Sequence, residues 1–168
     1  MKIREDYVTN SSSSSFVLAF NDDKEYNQFI ERCECLNYEP LSKLVERVVE
    51  TTSQDENRKQ AIELLNGYYY NAKYRDVLAR YFDLKRDDVD YYYNLYKLEN
   101  TEAFKSKLDE YLHNDKEYME KLRRIEDAEK VVDITVWDSD GGFFEWAVRN
   151  GFLRSEWWTC LVVQMDIG

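Results

Sequence analysis

The sequence predicts an α+β fold. A small, mainly antiparallel sheet is built from one N-terminal strand and two C-terminal strands and is covered by an inserted layer of several short helices. Three observations predict it. Phe16–Phe20 is a continuous apolar run, the pattern of a short strand buried on both faces. Val131–Trp137 and Trp157–Ile167 are rich in β-branched and aromatic residues. Between these ends, residues 21–130 repeat apolar side chains at helical spacing with polar breaks between them. Strands from both ends of the chain would then meet in one sheet, so residues 1–168 read as one domain. It has a serine-rich head and strand at 1–20, a helical insertion at 21–130 and a strand-helix-strand at 131–168.

The helices follow in order. Asn21-Asp22-Asp23 caps a first helix whose Tyr26, Phe29, Ile30 and Cys33 share a face. Pro40 suits the first turn of a second, with Leu41, Leu44, Val45 and Val48 inward. Ala61, Ile62, Leu65 and Tyr69 carry a third, broken or bent at Gly67. Tyr74, Val77, Leu78 and Tyr81 outline a fourth, and Val89, Tyr92, Tyr93 and Tyr96 a fifth. Thr101 and Asn114 read as caps of two more, with Phe104, Leu108 and Tyr111, then Tyr118, Leu122 and Ile125, facing in. In the last segment, Asp140-Gly141-Gly142 turns into a short helix at Phe143–Asn150, and Asn150-Gly151 stops it.

Composition bounds the function. A length of 168 residues is enough to bury a core, and 43% hydrophobic with 34% charged residues is globular. The net charge of -11 disfavours direct binding to nucleic-acid phosphates. No apolar stretch approaches the ~20 residues that span a bilayer. The opening MKIREDYVTN lacks the apolar centre of a signal peptide, so the expected location is cytoplasmic. The three cysteines, Cys33, Cys35 and Cys160, read as reduced thiols, because Cys33-Glu34-Cys35 has no second Cys or His pair to complete a zinc site.

Ser11, Ser12, Ser13, Ser14 and Ser15 stand directly against the apolar run. Small hydroxyls can line a tight crossing of chain segments, accept a modification as a docking tag, or bind an anion. The glycines and lysine of a phosphate loop are missing, which weakens the third. The opening M-K-I-R-E-D-Y-V-T-N-S-S-S-S-S-F resembles one shared by small uncharacterised proteins of bacteria and their phages. The resemblance covers Lys2 to about Phe20 and carries no activity and no catalytic residue. It implies phage-related or mobile-element cargo, with the particular function borne by the body behind a shared head.

Candidate chemistry is sparse, and no cofactor is expected. Asp138-Ser139-Asp140-Gly141 follows a predicted strand, where Asp138 and Asp140 could hold Mg²⁺ or Mn²⁺ in a small metal-dependent enzyme. An EF-hand fails, since the loop ligands would fall on Val136 and Ala147, and a haloacid-dehalogenase-like phosphatase would need a long α/β domain where only 28 residues follow Asp140. We favour the structural reading, in which one aspartate caps the next helix while Asp-Gly-Gly turns the chain. The lone His113 sits at a helix end, where it complements the dipole. Arg123-Arg124 lies among acids on a solvated face.

The tyrosines point elsewhere. Tyr68, Tyr69 and Tyr70, and again Tyr91, Tyr92 and Tyr93, place consecutive rings about 100° apart on a helix, so one face cannot bury all three. Either the helices hide rings on two sides or the rings form a protein-binding surface. With Asp87, Asp88 and Asp90 nearby, the expected function is a non-enzymatic interaction module. Its partner would be a host protein, such as a basic nucleic-acid-handling one, and inhibition of a host nuclease or defence factor would fit. Broad DNA mimicry does not lead, because 23 basic residues are interleaved with 34 acidic ones.

Overall fold

A computed structural model describes residues 13–35 and 39–137. They are mostly helical, with a two-stranded antiparallel sheet of β1 (Ser13–Phe20) and β2 (Lys130–Trp137). Between the strands lie α1 (Asp23–Cys35), α2 (Glu39–Thr51), α3 (Gln54–Tyr69), a π-helical turn (Tyr70–Tyr74), α4 (Arg75–Tyr81), α5 (Tyr91–Glu99), α6 (Glu102–Asn114) and α7 (Lys116–Asp127). The expected Phe143–Asn150 helix, the Trp157–Ile167 strand, and Cys160 lie outside the described residues. The packing forms two compact units. One holds the described residues up to Ala61 and from Arg124 onward; the other is Ile62–Arg123.

The first unit is organised by its strand pair. Phe16 stands opposite Ile134, Leu18 opposite Val132 and Phe20 opposite Lys130. Val17, Leu18, Ala19 and Phe20 are all buried, as a run without alternation requires. Val131 and Val132 are equally buried on the partner strand. The strand starts earlier than the apolar run, because the backbones of Ser13, Ser14 and Ser15 pair with Trp137, Val136 and Thr135. Phe20 meets Tyr26 and Phe29 of α1 edge-on, at 5.5 and 5.3 Å between centroids. Asp22 caps α1 by accepting from the Glu25 amide at 2.8 Å, and the Glu25 carboxylate reaches back to the Asn21 amide at 2.8 Å. Cys33 is buried on the same face. At the other end Arg58 donates to the carbonyls of Ile125 and Ala128 at 3.2 and 2.8 Å, satisfying the open end of α7. The Gln54 side chain accepts from the Val131 amide at 2.7 Å.

The second unit departs from the sequence expectations in several places. Gly67 does not break α3, which runs through it to Tyr69. The disturbance comes three residues later, where the Arg75 amide donates to the Tyr70 carbonyl in a widened turn. Tyr81 is more than half exposed rather than inward. The residues whose spacing outlines α5 in the sequence form its outward face: Tyr91 and Leu95 are buried, while Val89, Tyr92, Tyr93 and Tyr96 are exposed. Leucine decides this, since Leu95 has no polar tip to leave in water and a tyrosine has. Finally, α7 is capped by Asp115 and not Asn114, whose amide donates instead to the Glu110 carbonyl at 2.8 Å. The Thr101 cap of α6 is as expected, accepting from the Phe104 amide at 3.3 Å.

The link from α4 to α5 has a defined ending. The Leu84 amide donates to the Ala79 carbonyl at 2.8 Å and the Asp83 amide to the Arg80 carbonyl at 3.1 Å. This is the paired bonding of a Schellman motif, and Asp83 occupies its left-handed position at φ 58°. Leu84 packs on Ala79, Tyr91 and Leu95, so the motif seats α5. A β-branched residue cannot hold that conformation cheaply. Asp83→Val is expected to lower stability by about 1–2 kcal/mol in urea unfolding, while Asp83→Gly is neutral or stabilising. In the first unit, both polar atoms of the fully buried Asn57 side chain lack a hydrogen-bond partner among the described residues. Leaving a buried polar group unpaired costs about 1–3 kcal/mol, so Asn57→Leu should be neutral or raise the unfolding midpoint, and a clear loss would contradict the orphaned state.

Candidate functional site

Helix α5 is short, and its composition forces a choice of face. Its sequence YYYNLYKLE holds four tyrosines and two leucines in nine residues. Packing Tyr91 and Leu95 inward, at i and i+4, turns Tyr92, Tyr93 and Tyr96 outward. They are 74%, 59% and 66% exposed, and Val89 just before the helix is fully exposed. Large apolar groups gathered on one short helix form the kind of surface that partners cover. Tyr92 rests edge-on against the buried Tyr91 ring at 5.3 Å, which gives it a fixed base. The Lys97 ammonium lies 4.1 Å from the centre of the Tyr93 ring, a cation–π contact inside the helix itself.

Asp87, Asp88 and Asp90 precede this helix and are all exposed. The Asp88 carbonyl accepts from the Tyr91 amide at 3.0 Å, so the backbone of the acidic segment is tied to the start of α5. None of the three carboxylates caps the helix or joins an ion pair among the described residues. They set a negative edge beside the aromatic face and favour the positive end of the helix dipole.

The other tyrosine triplet is placed differently. Tyr69 is 1% exposed and packs edge-on against Tyr118 at 5.4 Å, and Tyr68 and Tyr70 are half-buried. Tyr69 therefore belongs to the core, as Tyr91 does, and neither contributes to an exposed surface. The Tyr70 hydroxyl donates to the Glu99 carboxylate, and burial, then Glu99, raises its pKa. The Tyr69 hydroxyl feels the Glu117 carboxylate without meeting it at hydrogen-bond geometry; burial foremost raises its pKa as well.

Asp115 connects these parts. It accepts from the Tyr74 hydroxyl at 2.6 Å and the Lys73 ammonium at 2.9 Å, and its other oxygen accepts from the Glu117 and Tyr118 amides at 3.0 and 3.2 Å. Burial on its own would raise this carboxyl, but the donors from Tyr74, Lys73 and the Tyr118 amide outweigh it and hold it at about 2. Tyr74 is pushed up to about 12 by burial and then by the Asp115 bond. With each of its donors already engaged, this is a structural network and not an open site.

The remaining candidates are quickly placed. His113 lies in the last turn of α6, its Nδ1 2.8 Å from the Asp109 carbonyl oxygen. Arg123 and Arg124 are exposed. Asp138, Asp140, Ser11 and Ser12 lie outside the described residues, and Ser13, Ser14 and Ser15 contribute backbone to β1. Among the described residues no group of three His, Cys, Asp or Glu side chains could hold a metal ion, and no helix is long and apolar enough to cross a membrane. The sequence reading grouped Val89 and Tyr96 with Tyr92 and Tyr93 on one helix but did not count Val89 and Tyr96 among the exposed contact residues. The competing spacing of Tyr91, Leu95 and Leu98 was the signal that could have placed them there. Comparisons with protein-family models, with curated proteins and with solved structures find no match.

The network around Asp115 has a pH signature. A depressed carboxyl stabilises the fold above its unfolded pKa near 3.8, and that contribution is lost as pH falls toward about 2. The raised Tyr74 works in the opposite sense: its contribution is complete below pH 10 and is lost as pH rises through about 12. Asp115→Asn is expected to cost about 2 kcal/mol at neutral pH and to flatten both limbs in unfolding curves recorded across this range.

Proposed function

We propose that this chain is a non-enzymatic protein-interaction module acting in a bacterial cytoplasm as phage-related or mobile-element cargo. Its contact surface is the outward face of α5, formed by Val89, Tyr92, Tyr93 and Tyr96 with Asp87, Asp88 and Asp90 at its edge. The observation that carries the reading is the exposure of Tyr92, Tyr93 and Tyr96 on one helix, with Val89 just before it, on an element seated from beneath by Tyr91 and Leu95. Tyrosine presents a large rigid ring at little entropic cost and is enriched at interface hot spots. The partner is a basic host protein of the kind that handles nucleic acid, such as a nuclease or defence factor that the contact would inhibit. Rings of Tyr92 and Tyr96 would take arginine or lysine side chains as the Tyr93 ring already takes Lys97, and the three aspartates would pair with flanking cations.

The test is affinity capture from a bacterial host, followed by a binding titration with the captured protein. A stoichiometric basic partner is expected, with affinity falling as salt is raised. Tyr92→Ala and Tyr96→Ala should each weaken it by about 30-fold if they are hot spots, and leave folding intact because both side chains are exposed. Lys105→Ala, exposed on α6, should change nothing. An acidic partner, no partner, or full affinity in the Tyr92→Ala/Tyr96→Ala variant would overturn the reading.

A further inference from the structure

Behind the start of α5 lies a cavity of about 410 Å³ whose chemistry is opposite to that of the chain as a whole. Its apolar lining is Ala79 of α4, Leu84 of the Schellman turn and Tyr91 of α5, the cluster that seats the helix. Its polar lining is Arg80, Lys85 and Arg86 with a single carboxylate, Asp76. That is three cations against one acid, in a protein of net charge -11.

The acid is already engaged. Asp76 Oδ2 lies 3.1 Å from an Arg86 terminal nitrogen, so Arg86 is neutralised. Arg80 uses its Nε on the Asp76 backbone carbonyl at 3.2 Å, which anchors the guanidinium and leaves its two terminal nitrogens without a partner among the described residues. The Lys85 ammonium has no ion pair or hydrogen bond among the described residues either; only its backbone carbonyl is engaged, by the Asp88 amide at 3.1 Å. The site thus pairs an apolar floor with two uncompensated cations, one of them a planar fork preorganised by its own helix. A volume near 400 Å³ is at the small end of ligand pockets.

From this geometry we infer that the cavity is a binding site for a small organic carboxylate bearing an apolar ring or chain. The ring lies on Ala79, Leu84 and Tyr91, and the carboxylate is held by Arg80 and Lys85. A neutral analogue loses the charge-assisted bonds, and a carboxylate without an apolar body loses the floor. The site is distinct from the outward face of α5: Tyr91 turns inward to the cavity, whereas Tyr92, Tyr93 and Tyr96 turn away.

The experiment is a titration of the full chain, followed by amide and methyl NMR shifts, with 3-phenylpropionate, 3-phenylpropanamide and acetate as probes at low ionic strength. Saturable binding of 3-phenylpropionate is expected, with shifts at Ala79, Leu84 and Tyr91. The amide should bind at least about tenfold more weakly, and acetate should not saturate. Arg80→Gln and Lys85→Gln, at exposed positions, should each weaken 3-phenylpropionate and keep the spectrum of the folded protein. Absence of saturable binding, equal affinity for acid and amide, unchanged affinity in the Arg80→Gln/Lys85→Gln variant, or shifts confined to Tyr92 and Tyr96 would each overturn the assignment. None of these outcomes depends on a protein partner, so the site and the α5 surface stand or fall separately.

Discussion

A helix can bury only part of its circumference, and residues 62–123 carry more aromatic side chain than their helices can hide. Much of what is unusual about this unit follows from that limit. At the end of α3 the rings of Tyr68, Tyr69 and Tyr70 point in three directions, and only Tyr69 is fully enclosed. The π-helical turn that follows adds a residue to one turn of the chain just where the crowding is greatest. Across it, Tyr70 reaches Glu99 while Tyr74 reaches Asp115, two acceptors on different elements. In α5 the same limit is met by exposure: one tyrosine and one leucine go in, and three tyrosines stay out.

A tyrosine ring taken inside brings a hydroxyl that gains from a partner, and at three of them a side-chain acceptor supplies it. Tyr70 donates to Glu99, Tyr74 to Asp115 and Tyr118 to Asn66, the last at 2.7 Å. Glu117 is held below the usual carboxylate range, first by its hydrogen bond to Lys121. These carboxylates are engaged by tyrosines and lysines of their own unit. The aspartates ahead of α5 have no such side-chain engagement among the described residues, and their charge faces outward. Net charge alone conceals this division of labour.

The sequence was legible where one spacing dominated. Phe29 and Cys33, Val45, Phe104, and Tyr118 with Leu122 and Ile125 are buried as their periodicity requires. Phe16–Phe20 and Val131–Trp137 fall in strands, as two short apolar segments rich in β-branched and aromatic residues require, while their direct pairing was not legible. Periodicity failed where two faces competed or a local signal misled. In α5 the tyrosine spacing outnumbered the aliphatic one, yet the leucine governs burial. At Gly67 the missing side chain suggested a break, but a glycine costs a helix only about 1 kcal/mol, which packing overrides. Asn114 and Asp115 are both good caps, and adjacent candidates differ by less than pattern reading resolves. The cavity beside Ala79 had no linear signature, because its cations come from a helix end and a turn that only the Schellman geometry brings together.

The strand pair has a consequence for how the chain reaches its fold. Lys130 of β2 reaches Asp23, just past β1, across 107 positions of sequence, and almost everything between them is local helix. Such a pairing has high contact order and forms late, after the helices have shortened the effective loop. During synthesis at about 5–20 residues per second, β1 waits on the order of ten seconds for its partner strand. A waiting strand is an aggregation hazard in proportion to its uninterrupted apolar length, and segments of about six or seven residues suffice. The serine run holds that length to Phe16–Phe20 while still supplying backbone for three more ladder positions. The serines extend the strand without making it adhesive.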